Sequence, residues 1–346
     1  MQQRRSLILA VLAVIAVGAA WQFGGGGTQA PSAEASAGGL VFPGLAARLG
    51  QVVRIEVQGK GAVLGIVQAD GKWGLADRGG FPVQQDKLRE LLTGLTELRL
   101  AEARTSDPAQ YGRLGVEAPS PSGTSNLLRL LDGAGTPVVE LIVGHRRVRT
   151  QGNVPETIFI RRPGEAQSWM AEGRLPVDSD PQLWFERDIA NIAGAKVIAA
   201  TVERGDVVLS FARHGETFEL TAPAEHPKTD GYRVEEVSRA LETLTLTDVR
   251  PVAEQPGVAI GTARHTLGDG TVITTRVFRA DKEIWLQIAA AGETETARDL
   301  RARTARWAYQ VGAWKEKSFA PTLDDLKAAA PDKPETEAPE PASSTE

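Results

Sequence analysis

The sequence predicts an α+β fold made of two related halves, each a mainly antiparallel sheet with a packed helix. The first observation is an internal repeat: residues 52–75 align without a gap with residues 197–220, and apolar residues match apolar residues. The second is an alternation of apolar and polar residues in both copies, which is typical of strands with one buried face. The third is that the match resumes after a short insertion, at residues 88–98 and 237–247.

An apolar, uncharged segment, residues 7–23, follows Arg4 and Arg5 at the start of the chain. Its length suits a short transmembrane helix, which needs about 17–25 residues. Because positive charges favour the cytoplasmic side, we expect the rest of the chain to lie outside the cytoplasm. Two alternatives stay open, a signal peptide cleaved near Ala19 and a twin-arginine export signal. We expect an uncleaved anchor, residues 1–23, that crosses the inner membrane once, with the bulk of the chain in the periplasm.

The chain after the anchor divides by composition. Residues 24–39 are rich in Gly, Ala and Ser, which predicts a flexible linker. Residues 328–346 are acidic and rich in Pro, which predicts a disordered tail. The repeat divides the chain between them into a first α+β half, residues 40–195, and a second α+β half, residues 196–327. This length suffices for two domains of ordinary size.

The elements of the first half follow from periodicity and turn residues. Asp70-Gly71 favours a tight hairpin because both residues tolerate positive φ. Four leucines at positions 88, 91, 92 and 95 have the spacing of one helix face. Asp180 and Pro181 are suited to the cap and first position of a helix. In order, we expect strands at 53–58, 62–68 and 72–75, a helix at 86–98, strands at 126–131, 137–143, 157–161 and 168–171, and a short helix at 180–192.

The second half repeats this order of elements. The pattern predicts strands at 198–202, 207–213 and 217–220, a helix at 234–244, strands at 263–267, 272–278, 283–288 and 306–311, and a final helix at 322–329. The similarity of the halves therefore extends beyond the segments that align residue by residue.

Composition limits the classes of function. The formal net charge is −5, so nothing indicates a nucleic-acid partner. The chain contains no cysteine, which excludes a lipoprotein anchor, disulfides, thiolate metal sites and a cysteine nucleophile. We expect no cofactor.

Catalytic signatures are missing from the sequence. It contains neither a G-x-S-x-G elbow nor an H-E-x-x-H pair. Four scattered histidines lack a second ligand at metal spacing, so each is expected to be solvated or hydrogen-bonded: His145, His214, His226 and His265. The adjacent acids Glu235-Glu236 and Asp324-Asp325 fit helix-end charges and caps better than acid–base catalysis. The prediction is that the protein is not an enzyme and has no catalytic or metal site.

Two groups of residues are candidate contacts for a ligand or partner. Three tryptophans could bind a glycan or peptide if they cluster, although packing in the core or at a domain interface is the favoured interpretation. A basic run at residues 145–149 could face an acidic partner or lipid head groups, or could be a solvated hairpin end. The candidate residues are Trp169, Trp184, Trp285, Arg146, Arg147 and Arg149.

Several segments together resemble the domain-of-unknown-function 4340 family of bacterial envelope proteins. They are the apolar N-terminus, the strands at 53–75, YGRLGVEAP at 111–119, VVELIVG at 138–144, IFIRRPGEAQSWMA at 158–171, LWFERDIANI at 183–192, and WAYQVGAW with FAPTLDDL near the C-terminus. The resemblance covers nearly the whole chain and supplies no catalytic residue. It implies an accessory role beside gliding-motility-type ABC transporter components.

We therefore expect a membrane-anchored extracytoplasmic accessory or scaffold protein with a protein partner in an ABC-type transport system. The alternative is an envelope module that binds a glycan or peptide in a cleft between the halves. An enzyme would need a cleft that joins carboxylates or histidines from distant parts of the sequence.

Overall fold

The computed structural model describes residues 37–147 and 155–328. The predicted anchor, most of the predicted linker and nearly all of the predicted tail lie outside these ranges. No helix within them is long and apolar enough to cross a membrane. The described chain forms two large antiparallel sheets with few helices, so the predicted α+β class with mainly antiparallel sheets is confirmed.

The first sheet contains nine strands and is accompanied by three helices. The strands are β1 (Val52–Gly59), β2 (Ala62–Ala69), β3 (Lys72–Leu75), β4 (Phe81–Pro82), β5 (Arg99–Ala103), β6 (Asn126–Asp132), β7 (Pro137–Arg147), β8 (Thr157–Arg161) and β9 (Ser168–Glu172). The helices are α1 (Leu45–Arg48), α2 (Gln85–Glu97) and α3 (Tyr111–Leu114). The predicted Asp70-Gly71 hairpin is present, with φ values of 52° and 73°.

The second sheet contains eight strands, and a two-stranded sheet lies beside it. The small sheet pairs β10 (Asp188–Ala190) with β14 (Leu244–Thr245). The strands of the large sheet are β11 (Val197–Arg204), β12 (Val207–His214), β13 (Thr217–Ala222), β15 (Asp248–Pro251), β16 (Val258–Leu267), β17 (Val272–Ala280), β18 (Glu283–Ala291) and β19 (Trp307–Val311). The helices are α4 (Gly231–Ser238), α5 (Glu295–Thr304), α6 (Lys315–Phe319) and α7 (Leu323–Leu326).

The two large sheets have the same strand order. Apart from β4, the order β3-β2-β1-β6-β7-β8-β9-β5 corresponds position by position to β13-β12-β11-β16-β17-β18-β19-β15. The register corresponds as well, because Gly59 pairs with Ala62 in one hairpin and the aligned Arg204 pairs with Val207 in the other. Since register decides which side chains face the core, the aligned residues occupy equivalent places.

An irregularity and the pattern of burial also recur. The register of β1 on β6 shifts between Val52 and Arg54, and that of β11 on β16 shifts at the aligned position. Val57 and its counterpart Val202 are fully buried, whereas Val63 and Val208 are 52% and 50% exposed. Each sheet therefore buries one face and leaves corresponding apolar residues in solvent.

The sheets meet at a seam, which we define by Arg78, Phe81, Phe185, Asp248 and Trp307. The Phe81 ring lies edge-on to those of Phe185 and Trp307, with centroids 5.9 and 5.2 Å away. Arg78 donates from Nε to Asp248 Oδ1 at 2.7 Å and from Nη2 to Oδ2 at 3.3 Å. The β4 edge of the first sheet thus packs on β19 and β15 of the second, and one buried apolar cluster includes both sheets.

The predicted helix at 180–192 is wrong. Only Pro181–Leu183 makes a 3-10 turn, with the Asp180 side chain accepting a backbone N–H at its start. Phe185 instead forms an antiparallel bridge with Val83, and β10 pairs with β14. Backbone groups that a helix would satisfy internally are used for pairing with Val83 and with β14, so tertiary pairing overrides the local helix signal.

The helix predicted at 234–244 is shorter in the structure, where α4 ends at Ser238. Lys315 inserts its side chain beyond this end and donates from Nζ to the carbonyls of Ala240 at 2.8 Å and Glu242 at 3.4 Å. Lys315 therefore satisfies two backbone carbonyls of the turn that follows α4, which have no helix to satisfy them. Burial lowers the pKa of Lys315, and nearby Glu236 and Glu242 oppose that effect.

Candidate functional site

Two of the three candidate tryptophans are packing residues. Trp184 has no exposed surface, donates from Nε1 to the Asp178 carbonyl at 2.9 Å and lies 4.5 Å below Lys87 Nζ. Trp285 is 1% exposed, and the Arg250 guanidinium covers its ring at 3.9 Å. A sugar or peptide cannot stack on rings that are already covered.

Trp169 is half-buried on β9, where it pairs with Ile160 of β8 and packs against the main core. Within the described residues, no ring–ring contact joins it to Trp184 or Trp285. The structure does not bring the three candidate tryptophans together as a platform. Core packing, the favoured interpretation from the sequence, holds for Trp184 and Trp285.

The arginines of the basic run point in different directions. Arg146 Nε lies 3.4 Å from Glu156 Oε1, beside a depression near Lys87. Arg147 lies over the Phe159 ring, with its Cζ 5.8 Å from the ring centroid. Neighbouring residues of a strand alternate between its faces, which explains the divergence. Arg149 lies outside the described residues.

Arg147 forms part of a concave site of about 660 Å³ on the first sheet, which we call the basic groove. One wall is the end of β5 and the residues after it, 102–105. The opposite wall is the segment that contains α3, and β7 and β8 complete the lining. The residues that decide its chemistry are Glu102, Arg104, Arg113, His145, Arg147 and Phe159.

A second, smaller core holds the α3 segment in place. Tyr111, Val116 and Phe159 belong to a buried apolar cluster that is separate from the main core. Tyr111 donates its hydroxyl to the Ala166 carbonyl at 2.6 Å. The buried Arg161 lies over the Tyr111 ring at 4.5 Å and donates from Nε to the Val116 carbonyl at 2.8 Å. The α3 wall of the groove is therefore anchored by packing and by hydrogen bonds.

Positive charge dominates the basic groove. Arg104 makes an ion pair with Glu102 at 3.0 Å, and Arg113 donates to the Gln110 side chain at 3.1 Å. Across residues 37–147 and 155–328, neither Arg113 nor Arg147 has a carboxylate oxygen within 4.0 Å. Three guanidinium groups thus face one carboxylate, in a protein whose formal net charge is −5. Arginine binds phosphate and carboxylate through paired N–H donors, so this arrangement suits an anion.

The four histidines lie apart, and each makes a hydrogen bond. Their contacts are His145 Nε2 with Thr124 Oγ1 at 2.9 Å, His214 Nδ1 with Glu219 at 3.4 Å, His226 Nδ1 with the Pro227 carbonyl at 2.8 Å, and His265 Nε2 with the Val237 carbonyl at 3.0 Å. In the part of the chain that the structure describes, no group of three His, Asp or Glu side chains is placed to hold a metal ion.

The adjacent acid pairs have structural contacts. Asp325 forms a capping box with Thr322 at the start of α7, as the sequence predicted. Glu235 is not a helix-start charge, because it lies later in α4 and pairs with Arg213 at 2.8 Å. Ser238 Oγ also donates to Glu235 Oε1, at 2.6 Å.

The sequence indicated the basic run of the groove but not the residues of its other walls. Residues 145–149 stood out as a basic run, whereas Arg104 and Arg113 are single charges in a loop-rich segment. The sequence pattern predicts Phe159 only as a residue of the strand at 157–161. The pairing of β5 with β9 and the packing of α3 bring these residues together.

A family model described as a domain of unknown function (DUF4340) matches residues 73–259, which is more than half of the chain. The match begins in β3 of the first sheet and ends in β16 of the second, so it includes both sides of the seam. No curated protein and no solved structure matches the chain.

Proposed function

Because this chain belongs to the DUF4340 family, we propose a role for it from the geometry of its own residues: a membrane-tethered, extracytoplasmic scaffold subunit of an ABC-type transport system. The mechanism is passive. The apolar segment at residues 7–23 holds the protein at the membrane, and the Gly-rich linker sets how far the folded part can reach.

The observation that carries this proposal is the packed seam. A scaffold must hold two binding surfaces at a fixed distance, and domains joined only by a linker move independently. Here Phe81 inserts between aromatic rings of both sides, and Arg78 makes a two-point ion pair with Asp248. These contacts favour a rigid body in which both sheets offer surfaces to partners.

We also propose that the two large sheets are copies of one ancestral unit. The common strand order, the common register and the bulge at aligned positions support this origin. The alternative function, a glycan or peptide site between the halves, has less support. Aromatic side chains fill the centre of the seam, and Trp184 and Trp285 are covered.

Affinity purification tests the scaffold proposal. The full-length chain with a C-terminal tag, recovered from detergent-solubilised membranes, is expected to bring with it membrane subunits of an ABC transporter in near-stoichiometric amount. Recovery of the chain alone, or with unrelated proteins at the same yield as an untagged control, would contradict the proposal.

A matched pair of variants tests whether rigidity matters. Arg78→Ala removes the two-point ion pair of the seam and is expected to reduce co-purification several-fold. Arg89→Ala removes an exposed pair with Asp86 and should leave it unchanged. Equal recovery with both variants would show that the seam does not contribute to partner binding.

A further inference from the structure

We propose that the basic groove binds the phosphate-bearing head group of an anionic membrane lipid, so that the first sheet lies against the membrane beside its own tether. The proposal rests on the membrane tether of the proposed function. It assigns a ligand to Arg104, Arg113 and Arg147, which the scaffold role leaves without one.

The chain from the predicted anchor joins the fold close to the basic groove. Leu40 forms an antiparallel bridge with Arg99, and Gly38 N donates to the Leu100 carbonyl at 2.6 Å. Because the pairing is antiparallel, the chain traced back from Leu40 to Gly38 runs toward the end of β5 that lines the groove. Arg104 is four residues beyond Leu100, or about 13 Å at the rise of an extended strand. The tether therefore joins the fold near the end of β5 that lines the groove.

The segment between the apolar residues and the fold is short. Residues 24–36 lie between the apolar segment and the first described residue. A Gly-rich flexible chain of this length spans on the order of 20 Å. The tether therefore holds this edge of the fold nearest the bilayer. At such a span, the groove can still reach the lipid head groups.

The side chains that line the groove suit a phosphate group. The guanidinium groups of Arg104 and Arg147 lie 5.7 and 5.8 Å from the centroid of the Phe159 ring, which is itself packed in the smaller core. Stacking on a fixed ring reduces the freedom that these side chains lose when they bind an anion. Gln110 and Thr105 add neutral hydrogen-bonding groups, which suit the ester and hydroxyl oxygens of a glycerol phosphate.

The positive charge of the groove contrasts with the net charge of the chain. With a formal net charge of −5, the chain as a whole is repelled by an anionic membrane. A concave group of arginines next to the tether is then a specific point of attraction. An acidic protein would satisfy the same charges, but the position of the tether favours the lipid surface.

Hydrogen exchange on the full-length chain tests the proposal. The protein is reconstituted in vesicles of phosphatidylcholine alone and in vesicles that also contain phosphatidylglycerol. We expect amide exchange at residues 102–114 to slow several-fold only in the vesicles with phosphatidylglycerol. Equal exchange in the two kinds of vesicle overturns the proposal. Slowing by inorganic phosphate or glycerol phosphate added to phosphatidylcholine vesicles assigns the site to a free phosphate compound and also overturns it.

Variants keep this test specific. The double variant Arg113→Gln with Arg147→Gln keeps polar side chains in the groove and is expected to abolish the slowing. The control, Arg298→Gln with Arg303→Gln, removes two exposed charges at α5 and should keep it. Slowing that survives the groove variant overturns the proposal. The vesicle experiment does not depend on topology in cells, so a negative result does not contradict the scaffold function. Conversely, failure of the transporter co-purification does not contradict lipid binding.

Discussion

Replacing Trp184 by alanine is expected to destabilise the folded protein by about 3–5 kcal/mol, the usual cost of removing a fully buried aromatic side chain. Trp184 and Trp285 are the two largest fully buried side chains in the described residues, and Trp184 has no exposed surface. Its removal creates a cavity and leaves the Asp178 carbonyl without the indole donor. Lys87 also loses the ring that it covers. Guanidinium unfolding of the full-length chain in detergent, followed by circular dichroism, measures the loss.

Trp314→Ala is the matched control because it removes the same side chain from an exposed site. Trp314 is 63% exposed, and Lys315 Nζ lies 4.5 Å from the centroid of its ring. A cation–π contact at an exposed site contributes about 0.5–1 kcal/mol, so the control should lose no more than that. Equal losses for the two variants would show that Trp184 is not the packing centre that its burial indicates.

Acidification from pH 6.5 to pH 4 is expected to destabilise the protein through His265 by about 3 kcal/mol, at 1.36 kcal/mol for each pKa unit. Burial lowers the pKa of His265 to about 4, and the hydrogen bond to the Val237 carbonyl opposes this only in part. In the unfolded chain the histidine pKa is near 6.5. Between these values the unfolded state binds more protons, so stability is complete above pH 6.5 and falls as the pH drops.

The test compares unfolding free energies at several pH values for two variants. His265→Gln removes the titrating group while keeping a side-chain donor, so the loss between pH 6.5 and 4 should shrink by most of that amount. His214→Gln changes a histidine whose side chain is 65% exposed and should leave the pH dependence as it is in the parent chain. If the His265 variant keeps the full pH dependence, carboxylates rather than this histidine are responsible.

Most strands of the two large sheets could be predicted because period-two alternation and Gly-containing turns are local signals. These signals did not predict β4, β5 or β15. The ungapped repeat even predicted which residues correspond, since register follows the buried face. Strand order was not accessible in this way. β5 is separated by more than sixty residues from its partner β9, and nothing in Arg99–Ala103 identifies that partner.

The errors at residues 180–192 and after α4 have a common cause. Local sequence signals predict a helix in both segments, whereas contacts with distant residues decide the structure. Phe185 bridges to Val83, and Lys315 takes the carbonyls of Ala240 and Glu242. The periodicity of the sequence does not identify these distant contact partners.

The candidate site shows the same limit more strongly. Arg147 was identified from its basic neighbours, but the tryptophans proposed with it are largely packing residues. Arg104 and Arg113 become functional candidates only when strand pairing and the smaller core place them around Phe159. A site that is assembled from single charges in separate segments has no signature in one sequence.

Topology is the measurement on which the functional account depends most directly, because the proposed scaffold role requires a folded part outside the cytoplasm. Alkaline phosphatase and GFP are fused in turn after Glu346 of the full-length chain. The account predicts active alkaline phosphatase, because this reporter folds in the periplasm. It predicts no GFP fluorescence, because GFP that is exported unfolded does not fold in the periplasm. Fluorescent GFP with inactive phosphatase would place the described sheets in the cytoplasm and contradict the account.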